Sequence, residues 1–387
     1  MATDIRYQIL IDGKADAELT AQLTEIDVQE SVRKATSTRV RFVTDVCKAD
    51  LHLLKDPRLQ PGVDRLLSVL VSLDGKSVII SHGVIVDRTF ELVEGGPGSW
   101  VEVYTTDRRI EMDRACQGKG TYTGKVSAIV RPILDKYKFK TDIDVKEDAT
   151  YTQDKQTLNQ PITDLALVRL LAGQAGVEFW IDYKRGRTKV EETAHFKPSP
   201  KGSQSGPQGL LPAALSVSAA APVLQLNAGS GKATMLSFKA KLVSETPNKG
   251  NPARVNIDDA TVERSQVPEP TVDRLGKKPP AKENECQVLS AGDLAEAHRR
   301  QTAALNDAAW TMTASAETTV RMVCGLIRPH DVVKVRGVGK IDEGDYFVDS
   351  VKHAITQSDH KLTLEMRRNA LKTAAEAGAL GLGIGGF

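Results

Sequence analysis

The chain has 387 residues, of which 40% are hydrophobic and 26% charged, a size and composition typical of a soluble protein with two to four domains. Its 52 basic and 50 acidic residues leave a formal net charge of +2, which provides no overall basic field for a nucleic-acid backbone. We therefore expect no nucleic-acid specificity. The N-terminus lacks the apolar core of a signal peptide, and prolines interrupt the most apolar stretch, 210–226, so we expect no membrane segment.

Residues 1–105 have the pattern of β-strands. Apolar residues alternate with polar ones from Ile5 to Ile11, the period of a half-buried strand. Two further alternating runs flank Asp74-Gly75, a dipeptide that supplies the positive φ angles of a tight hairpin turn. This part of the chain is therefore predicted to be a strand-rich region with a hairpin at residues 74–75.

Residues 106–195 change to an α/β pattern. Apolar residues at helical spacing between Val126 and Tyr137 predict an amphipathic helix, which Pro132 either kinks or restricts to a late start. A second helix is predicted from about Pro161 to Gln174, with Gly176 at its left-handed exit. A strand hairpin over 177–191 follows.

The rest of the chain alternates between low-complexity and strand-like segments. Residues 196–234 are rich in Pro, Ser, Gly and Ala and are predicted to be a long flexible loop. Strand-like segments return over 235–260, and 261–320 is predicted to contain a linker and a helix that begins near Asp293. Residues 321–371 alternate again between glycine turns, and 372–387 form a Gly/Ala-rich tail.

No sequence motif for catalysis or cofactor binding is present. GxSxG and HExxH are absent, the GxGxxG spacing occurs only within the Gly/Ala-rich tail at Gly381, Gly383 and Gly386, and the fragment 229–232 lacks the first glycine and the Ser/Thr of a phosphate loop. His353 and His360 are the closest pair of histidines, and we interpret them as satisfied strand residues instead of metal ligands. We predict a protein without enzymatic activity, with no catalytic, cofactor-binding or metal-binding residues and no cofactor.

The remaining chemically reactive or charged residues have ordinary structural interpretations. Adjacent carboxylates and paired arginines are interpreted as solvated surface, and the tryptophans as core or interface anchors. The four cysteines are far apart in sequence, so we interpret them as buried free thiols of a protein made in a reducing compartment. These groups comprise Glu191-Glu192, Asp258-Asp259, Arg108-Arg109, Arg367-Arg368, Trp100, Trp180, Trp310, Cys47, Cys116, Cys286 and Cys324.

Three stretches, in this order, carry a resemblance to a known family. The first joins a basic turn to the start of the first helix, the second is the second helix with its flanks, and the third is the closing strand region. Their residues are Thr106-Asp-Arg-Arg109, Gly124–Val130, Ile133-Leu134; Gln156, Asp164-Leu165, Leu170–Ala172, Gly176, Phe179; and Pro329-His-Asp331, Val333–Gly337, Gly344–Tyr346, Val348, Val351–His353, Arg367–Ala370.

Together these stretches resemble the late control protein D family, the baseplate hubs of contractile-tailed phages, which are related to the hub portion of VgrG-type spike proteins. His330 departs from the pattern, because glycine is common there in the family. The resemblance implies an α+β, mainly β fold with two tube-like β-barrel domains. The first barrel would be 1–105, completed by strands from about 235–260, and the second barrel would be 321–371. The α/β insertion domain would be 106–195.

The resemblance also implies a function and partners. The chain would be a homotrimer that adapts a hexameric tail tube to a trimeric central spike and lines the delivery channel. The spike would be a separate chain, because no repetitive β-helix pattern follows the second barrel. Baseplate wedge and tape-measure proteins are further partners, and the location would be the virion tail baseplate after synthesis in the bacterial cytoplasm.

Two other functions stay open at this stage. One is a hub or spike protein with an associated cell-wall hydrolase activity, and the other is a different tail-tube or adaptor subunit. A further hypothesis concerns the tail 374–387, whose small residues form no core of their own. We expect this segment to dock on a neighbouring subunit or on the spike.

Overall fold

The chain is described by a computed structural model. It describes residues 4–46, 51–62, 65–94, 98–116, 119–146, 148–152, 158–187, 189–199, 222–226, 232–243, 245–256, 259, 261–267, 269–276, 278, 282–290 and 294–370.

The first β region is an antiparallel sheet with short helices at its end. Its apolar residues alternate along each strand, so one face of the sheet curls around a core that includes Ile9, Phe42 and Val103. The predicted turn at Asp74 and Gly75 is confirmed, with φ angles of 47° and 81°. The elements are β1 (Ile5–Ile11), β2 (Lys14–Asp16), α1 (Ala17–Ala21), β3 (Leu23–Ser31), β4 (Ser37–Val43), α2 (His52–Lys55), the 3₁₀ turn Pro57–Leu59, β5 (Leu66–Leu73), β6 (Lys76–Glu91) and β7 (Trp100–Thr106).

The insertion region packs two helices against a three-stranded sheet. Helix α4 begins at Val126, within one residue of the late start expected near Ser127, and contains Pro132 in its interior. Helix α5 begins after the N-cap Thr163, three residues later than predicted, and ends at Gly176 with φ of 65°. The elements are α3 (Arg109–Asp113), β8 (Lys119–Tyr122), β9 (Gly124–Lys125), α4 (Val126–Lys136), β10 (Lys140–Ile143), β11 (Thr150–Tyr151), β12 (Leu158–Gln160), α5 (Asp164–Ala175), β13 (Glu178–Arg185) and β14 (Val190–Lys197).

The second β region contains the long strand β24, and small sheets beside helix α6 precede it in the chain. The core between its strands includes Leu224, Tyr346 and Leu364. The elements are β15 (Val223–Gln225), β16 (Ser237–Leu242), β17 (Lys249–Gly250), β18 (Ala253–Val255), β19 (Val262–Arg264), β20 (Glu285–Cys286), β21 (Leu289–Ser290), α6 (Leu294–Ala308), β22 (Met312–Thr319), α7 (Val320–Val323), β23 (Val332–Arg336), β24 (Gly344–Thr356) and β25 (His360–Arg368).

The two β regions share one 13-stranded sheet, which confirms the α+β, mainly β fold class. The main path runs β16-β22-β25-β24-β3-β4-β7-β6-β5-β1-β2, and β23 and β15 branch from β24. Strand β24 joins the two β regions, because its first half pairs with β23 of the second region and its second half pairs with β3 of the first. Within the described residues the path ends at β16 and at β2, so neither region closes into a complete hydrogen-bonded barrel.

Two predicted boundaries differ from the structure. The expectation that strands from 235–260 complete the first barrel is wrong for β16, which pairs with β22 in the second region because Phe238 and Ala240 pack on that region's core. Strand β22 of the second region also begins at Met312, inside the segment predicted as linker and helix. Two of its four buried residues are alanines, and the weak apolar alternation that they give explains why the strand was missed.

The predicted loop and tail fall largely outside the described residues. Within 196–234 the structure describes the end of β14 at Lys197 and strand β15, which pairs in parallel with β23. The fragment 229–232 is described only at Lys232, and the tail 372–387 is outside the described ranges. Cys116, Cys286 and Cys324 are free, as predicted, but the expectation of burial is wrong for Cys116 and Cys324, which are exposed.

Tyr346 is expected to be essential for the fold of the second region. Its ring is fully buried, and its hydroxyl donates to the carbonyl of Asp342 at 2.7 Å. We expect Tyr346→Ala to lower the free energy of unfolding by about 3–5 kcal/mol, the usual cost of removing a buried aromatic ring. Tyr346→Phe is the control, with an expected loss of about 1 kcal/mol for the hydrogen bond. Denaturant unfolding measures both, and equal losses would contradict the assignment of the ring to the core.

Candidate functional site

The line where β3 meets β24 joins the N-terminal and C-terminal parts of the chain. The strands pair antiparallel, from Ser350 opposite Ser31 to Thr356 opposite Glu25. One face of this pairing carries the buried side chains of Val28, Glu30 and Val351. A charged residue in that position needs partners that are buried with it.

Glu30 has two such partners. Arg328 donates from Nε to Glu30 Oε1 at 3.0 Å, and His353 Nε2 lies 2.9 Å from Glu30 Oε2. Burial alone raises the pKa of the Glu30 carboxyl, but the Arg328 guanidinium and the His353 hydrogen bond outweigh it and hold that pKa below its ordinary value. We call Glu30, Arg328, His353 and His360 the junction cluster. Three separate parts of the chain therefore meet at one ionised carboxylate.

His360 extends the junction cluster across the β24–β25 hairpin. Its Nε2 lies 3.0 Å from His353 Nδ1, so the two histidines singled out in the sequence do come together. A carboxylate only accepts hydrogen bonds, so the Nε2 of His353 carries a proton; in the neutral ring, Nδ1 then accepts from His360. Burial, reinforced by His353, lowers the pKa of His360 to about 2. The interpretation as satisfied strand residues fits His353, which has a partner at both ring nitrogens, whereas the buried Nδ1 of His360 has no hydrogen-bond partner in the described structure.

A second junction attaches the insertion region to the second β region. The Trp180 ring, on β13, stacks on His195 at 4.8 Å between centroids and contacts His330 at 4.4 Å. His195 Nδ1 lies 2.8 Å from Asp142 Oδ2, and its Nε2 lies 3.2 Å from Asp182 Oδ2. His195 and Trp180 belong to the insertion and His330 to the second β region, so this stack connects the two.

His330 also shows how the turn at residues 329–331 is built. Its φ angle is 73°, in the left-handed region that favours glycine, and its N–H donates to the carbonyl of Val348 at 3.0 Å. Burial lowers the pKa of His330 to about 3, against the opposing effect of Asp182. The turn thus has a glycine-like backbone and adds an uncharged ring that packs on Trp180.

Two arginine pairs that were predicted to be solvated are largely buried. Arg109 donates to Asp107 within a fully buried ion pair, and Arg108 is paired with Glu111 and Glu192. Arg367 lies over the rings of Trp310 and Phe347, Arg368 donates to the carbonyl of Glu343 at 2.6 Å, and both are buried. The solvated interpretation is wrong here because partners compensate these charges: Asp107 and Glu111 are close in sequence, and Glu192 is distant.

Ser68, His82 and Glu192 have the residue types of a hydrolytic triad. Ser68 Oγ lies 2.7 Å from His82 Nδ1, and Glu192 Oε1 lies 3.8 Å from His82 Nε2. Ser68 has no solvent-exposed surface, and burial together with Arg108 lowers the pKa of His82 to about 4. A substrate carbonyl has no route to this serine in the described fold, so the geometry does not favour acyl transfer.

The described residues contain no group of three or more His, Cys, Asp or Glu side chains arranged to hold a metal ion. Among the same residues, no helix is both long and apolar enough to cross a membrane. Asp142 contacts His195 and Lys197.

Comparison with solved structures finds the same fold in tail proteins. A tail protein from Neisseria meningitidis MC58 superposes with a TM-score of 0.61 at 11% identity, covering 94% of this chain and 97% of that one. A prophage MuSo2 tail protein from Shewanella oneidensis gives 0.61 at 12% identity, with 95% and 99% covered. An E. coli type VI secretion component, described as similar to the T4 tail proteins gp27 and gp5, gives 0.51 at 13% identity, with 96% and 79% covered.

These comparisons extend over nearly the whole length of both tail proteins. The chain therefore has the fold of these tail proteins, with both β regions and the insertion included. No protein-family model and no curated protein sequence matches the chain.

Removal of the Glu30 charge is expected to destabilise the protein strongly. Glu30→Gln leaves Arg328 buried without its counter-ion, and we expect a loss of about 3–5 kcal/mol in the free energy of unfolding. The control is Glu25→Gln on the same strand, because Glu25 is partly exposed in its pairs with Arg39 and Arg41. That exposed pairing contributes about 0–1 kcal/mol. Denaturant unfolding of both variants is the measurement, and similar losses would refute the special role of Glu30.

The buried His360 is expected to make stability depend on pH. The folded state keeps His360 neutral down to about pH 2, whereas the unfolded chain protonates it near the ordinary value of 6.5. The unfolded state therefore binds more protons between these values, and stability falls as the pH falls, by about 1.4 kcal/mol per pH unit from this group. We expect His360→Gln to show a shallower decline than the wild type between pH 6.5 and 5.

The matched control for this pH measurement is His52→Gln. His52 is partly exposed beside Glu18, in the first β region. It should retain the slope of the wild type when the free energy of unfolding is measured at each pH. An unchanged slope in His360→Gln would show that His360 is not held neutral.

Proposed function

We propose that this protein is the baseplate hub of a contractile phage tail or a related contractile injection system. The observation that carries the proposal is the full-length likeness to phage and prophage tail proteins, in which two β regions flank an insertion. The three sequence stretches that resemble the late control protein D family point the same way. The third of these stretches contains His330 and His353, which take part in the two junctions.

The proposed mechanism is geometric. Each chain contributes two curved β regions to the wall of a channel, so a homotrimer contributes six. Six wall segments match a hexameric tail tube on one side, while the threefold arrangement of chains matches a trimeric spike on the other. The spike is a separate chain in this proposal, and wedge and tape-measure proteins are additional neighbours in the virion tail baseplate.

The internal joints support a role that depends on a fixed shape. The shared sheet, the junction cluster and the Trp180 stack each connect regions far apart in sequence, so the β regions and the insertion are held together. Such a chain suits a wall that carries load during contraction. We propose that it acts without catalysis, and the buried Ser68 is consistent with that role.

Native mass spectrometry of the full chain, alone and mixed with its spike and tube proteins, tests the proposal. We expect three copies of the chain to assemble with three copies of the spike. Negative-stain images of that complex should show a ring with six wall segments around a channel. A chain that stays monomeric in every mixture would overturn the hub function.

A peptidoglycan hydrolysis assay distinguishes the structural function from the alternative of an associated cell-wall hydrolase activity. We expect no turnover from the wild-type complex. Turnover that His82→Gln abolishes, in a variant that retains its oligomeric state, would replace the structural function with an enzymatic one.

A further inference from the structure

Strand β16 leaves an open edge in the second β region. It pairs with β22 on one side, and no described strand pairs with its other side. Just before β16, the N–H of Thr234 donates to the carbonyl of Gln225 at 3.0 Å, which ties the chain to β15. Past Thr234 no pairing between β15 and β16 is present among the described residues. Within the part of the chain that the structure describes, the sheet is therefore closed at one end of this edge and open along the rest.

The open edge carries a partly uncovered apolar stripe. Leu236, Phe238, Ala240 and Leu242 alternate along the chain and so share the face that looks toward the core. Phe238 and Ala240 pack against that core, but Leu236 and Leu242 remain 51% and 50% exposed. Burying these two leucines against another strand would remove apolar surface from water.

The backbone of β16 also has unused hydrogen-bonding groups. The N–H of Val243 donates to the carbonyl of Thr311 at 2.8 Å, across the β16–β22 ladder. Antiparallel strands alternate their hydrogen-bonding direction, so the N–H and C=O groups of Phe238, Ala240 and Leu242 point to the open edge. Such an edge is a template for one more strand.

The C-terminal segment of the same chain has a sequence that fits this edge. Leu380, Leu382 and Ile384 alternate with glycines at 381, 383 and 385. In an extended strand the three aliphatic side chains would lie on one face and the glycines on the other. The aliphatic face complements the stripe on β16, and the glycine face adds no bulk beside Lys239 and Lys241.

The end of β25 lies within reach of that edge. Arg368 is opposite Met312, and Met312 is opposite Leu242, so the chain end and the end of β16 lie at the same end of the sheet. Two strand spacings separate them, about 10 Å. The eight residues 371–378 span up to about 26 Å, which leaves 379–387 free to turn back along β16. A segment tethered this closely has a high effective concentration at the edge.

We propose that residues 379–387 add to the free edge of β16 in the same chain as an antiparallel strand, instead of docking on a neighbouring subunit or on the spike as expected from the sequence. In the added strand, Leu380, Leu382 and Ile384 lie beside the apolar stripe that includes Leu236 and Leu242. Its carbonyl groups accept hydrogen bonds from the outward-pointing N–H groups of β16. This inference concerns the closure of the second β region and is independent of the hub function.

Hydrogen exchange of the full chain tests the added strand. We compare the wild type with Leu380→Asp/Leu382→Asp/Ile384→Asp, which places carboxylates on the apolar face. The amides of Phe238, Ala240 and Leu242 should exchange at least about tenfold faster in this variant, because their edge is no longer covered. The matched control, Gly381→Ser/Gly383→Ser/Gly385→Ser, changes the opposite face and should retain the slow exchange. Equal exchange in all three proteins would overturn the proposal.

Disulfide cross-linking tests whether the strand comes from the same chain. Ala240→Cys is combined with Leu380→Cys, Leu382→Cys or Ile384→Cys, and the linked peptides are identified by mass spectrometry. Gly381→Cys and Gly383→Cys are the controls, because their side chains would lie on the opposite face of the strand, and they should link poorly. Chains labelled with ¹⁵N are mixed with unlabelled chains before oxidation. Links between two peptides with the same isotope label support the proposal. Links between a labelled and an unlabelled peptide, or equal linking from both faces of the strand, overturn it.

Discussion

Glu30 lies at the line where the first and last β regions meet, and its carboxylate is satisfied only when three distant segments are in place. Arg328 is 298 residues away in sequence and His353 is 323 residues away. A slip of one residue between β3 and β24 would turn Glu30 to the opposite face and leave the guanidinium buried alone. The apolar alternation of the two strands alone would tolerate more than one pairing register. The ion pair therefore favours one register among them.

The other joints extend this constraint to the insertion region. Trp180 packs between His195 of its own sheet and His330 of the second β region. Arg367 reaches Glu178 on β13 from β25, with its guanidinium over Trp310 and Phe347. Both joints combine an aromatic ring with a polar group that has a defined partner, and such contacts fix orientation as well as proximity. The α/β insertion is thus held against the sheet at more than one point.

The sequence predicted local structure well because local signals determine it. The Asp74-Gly75 turn and the Gly176 helix end follow from backbone preferences of single residues. Strand β22 was missed because alanine alternation is a weak signal, and the partner of β16 depends on packing that no local pattern encodes. Arg367 was misjudged for the same reason, since its carboxylate partner Glu178 and the rings beneath it come from other elements. Of the junction cluster, the sequence singled out His353 and His360 but not Glu30 or Arg328.

The pairing of β3 with β24 has a consequence for biosynthesis. Strand β3 leaves the ribosome more than 300 residues before the strand that covers its edge, as the separation of Glu30 and His353 indicates. Until then the nascent chain carries an uncovered strand edge and a carboxylate without its partners, both of which invite association with other chains. Closing a loop of this length also slows the final pairing. Translation speed and chaperone access should therefore affect the yield of folded protein more than the stability of the finished fold.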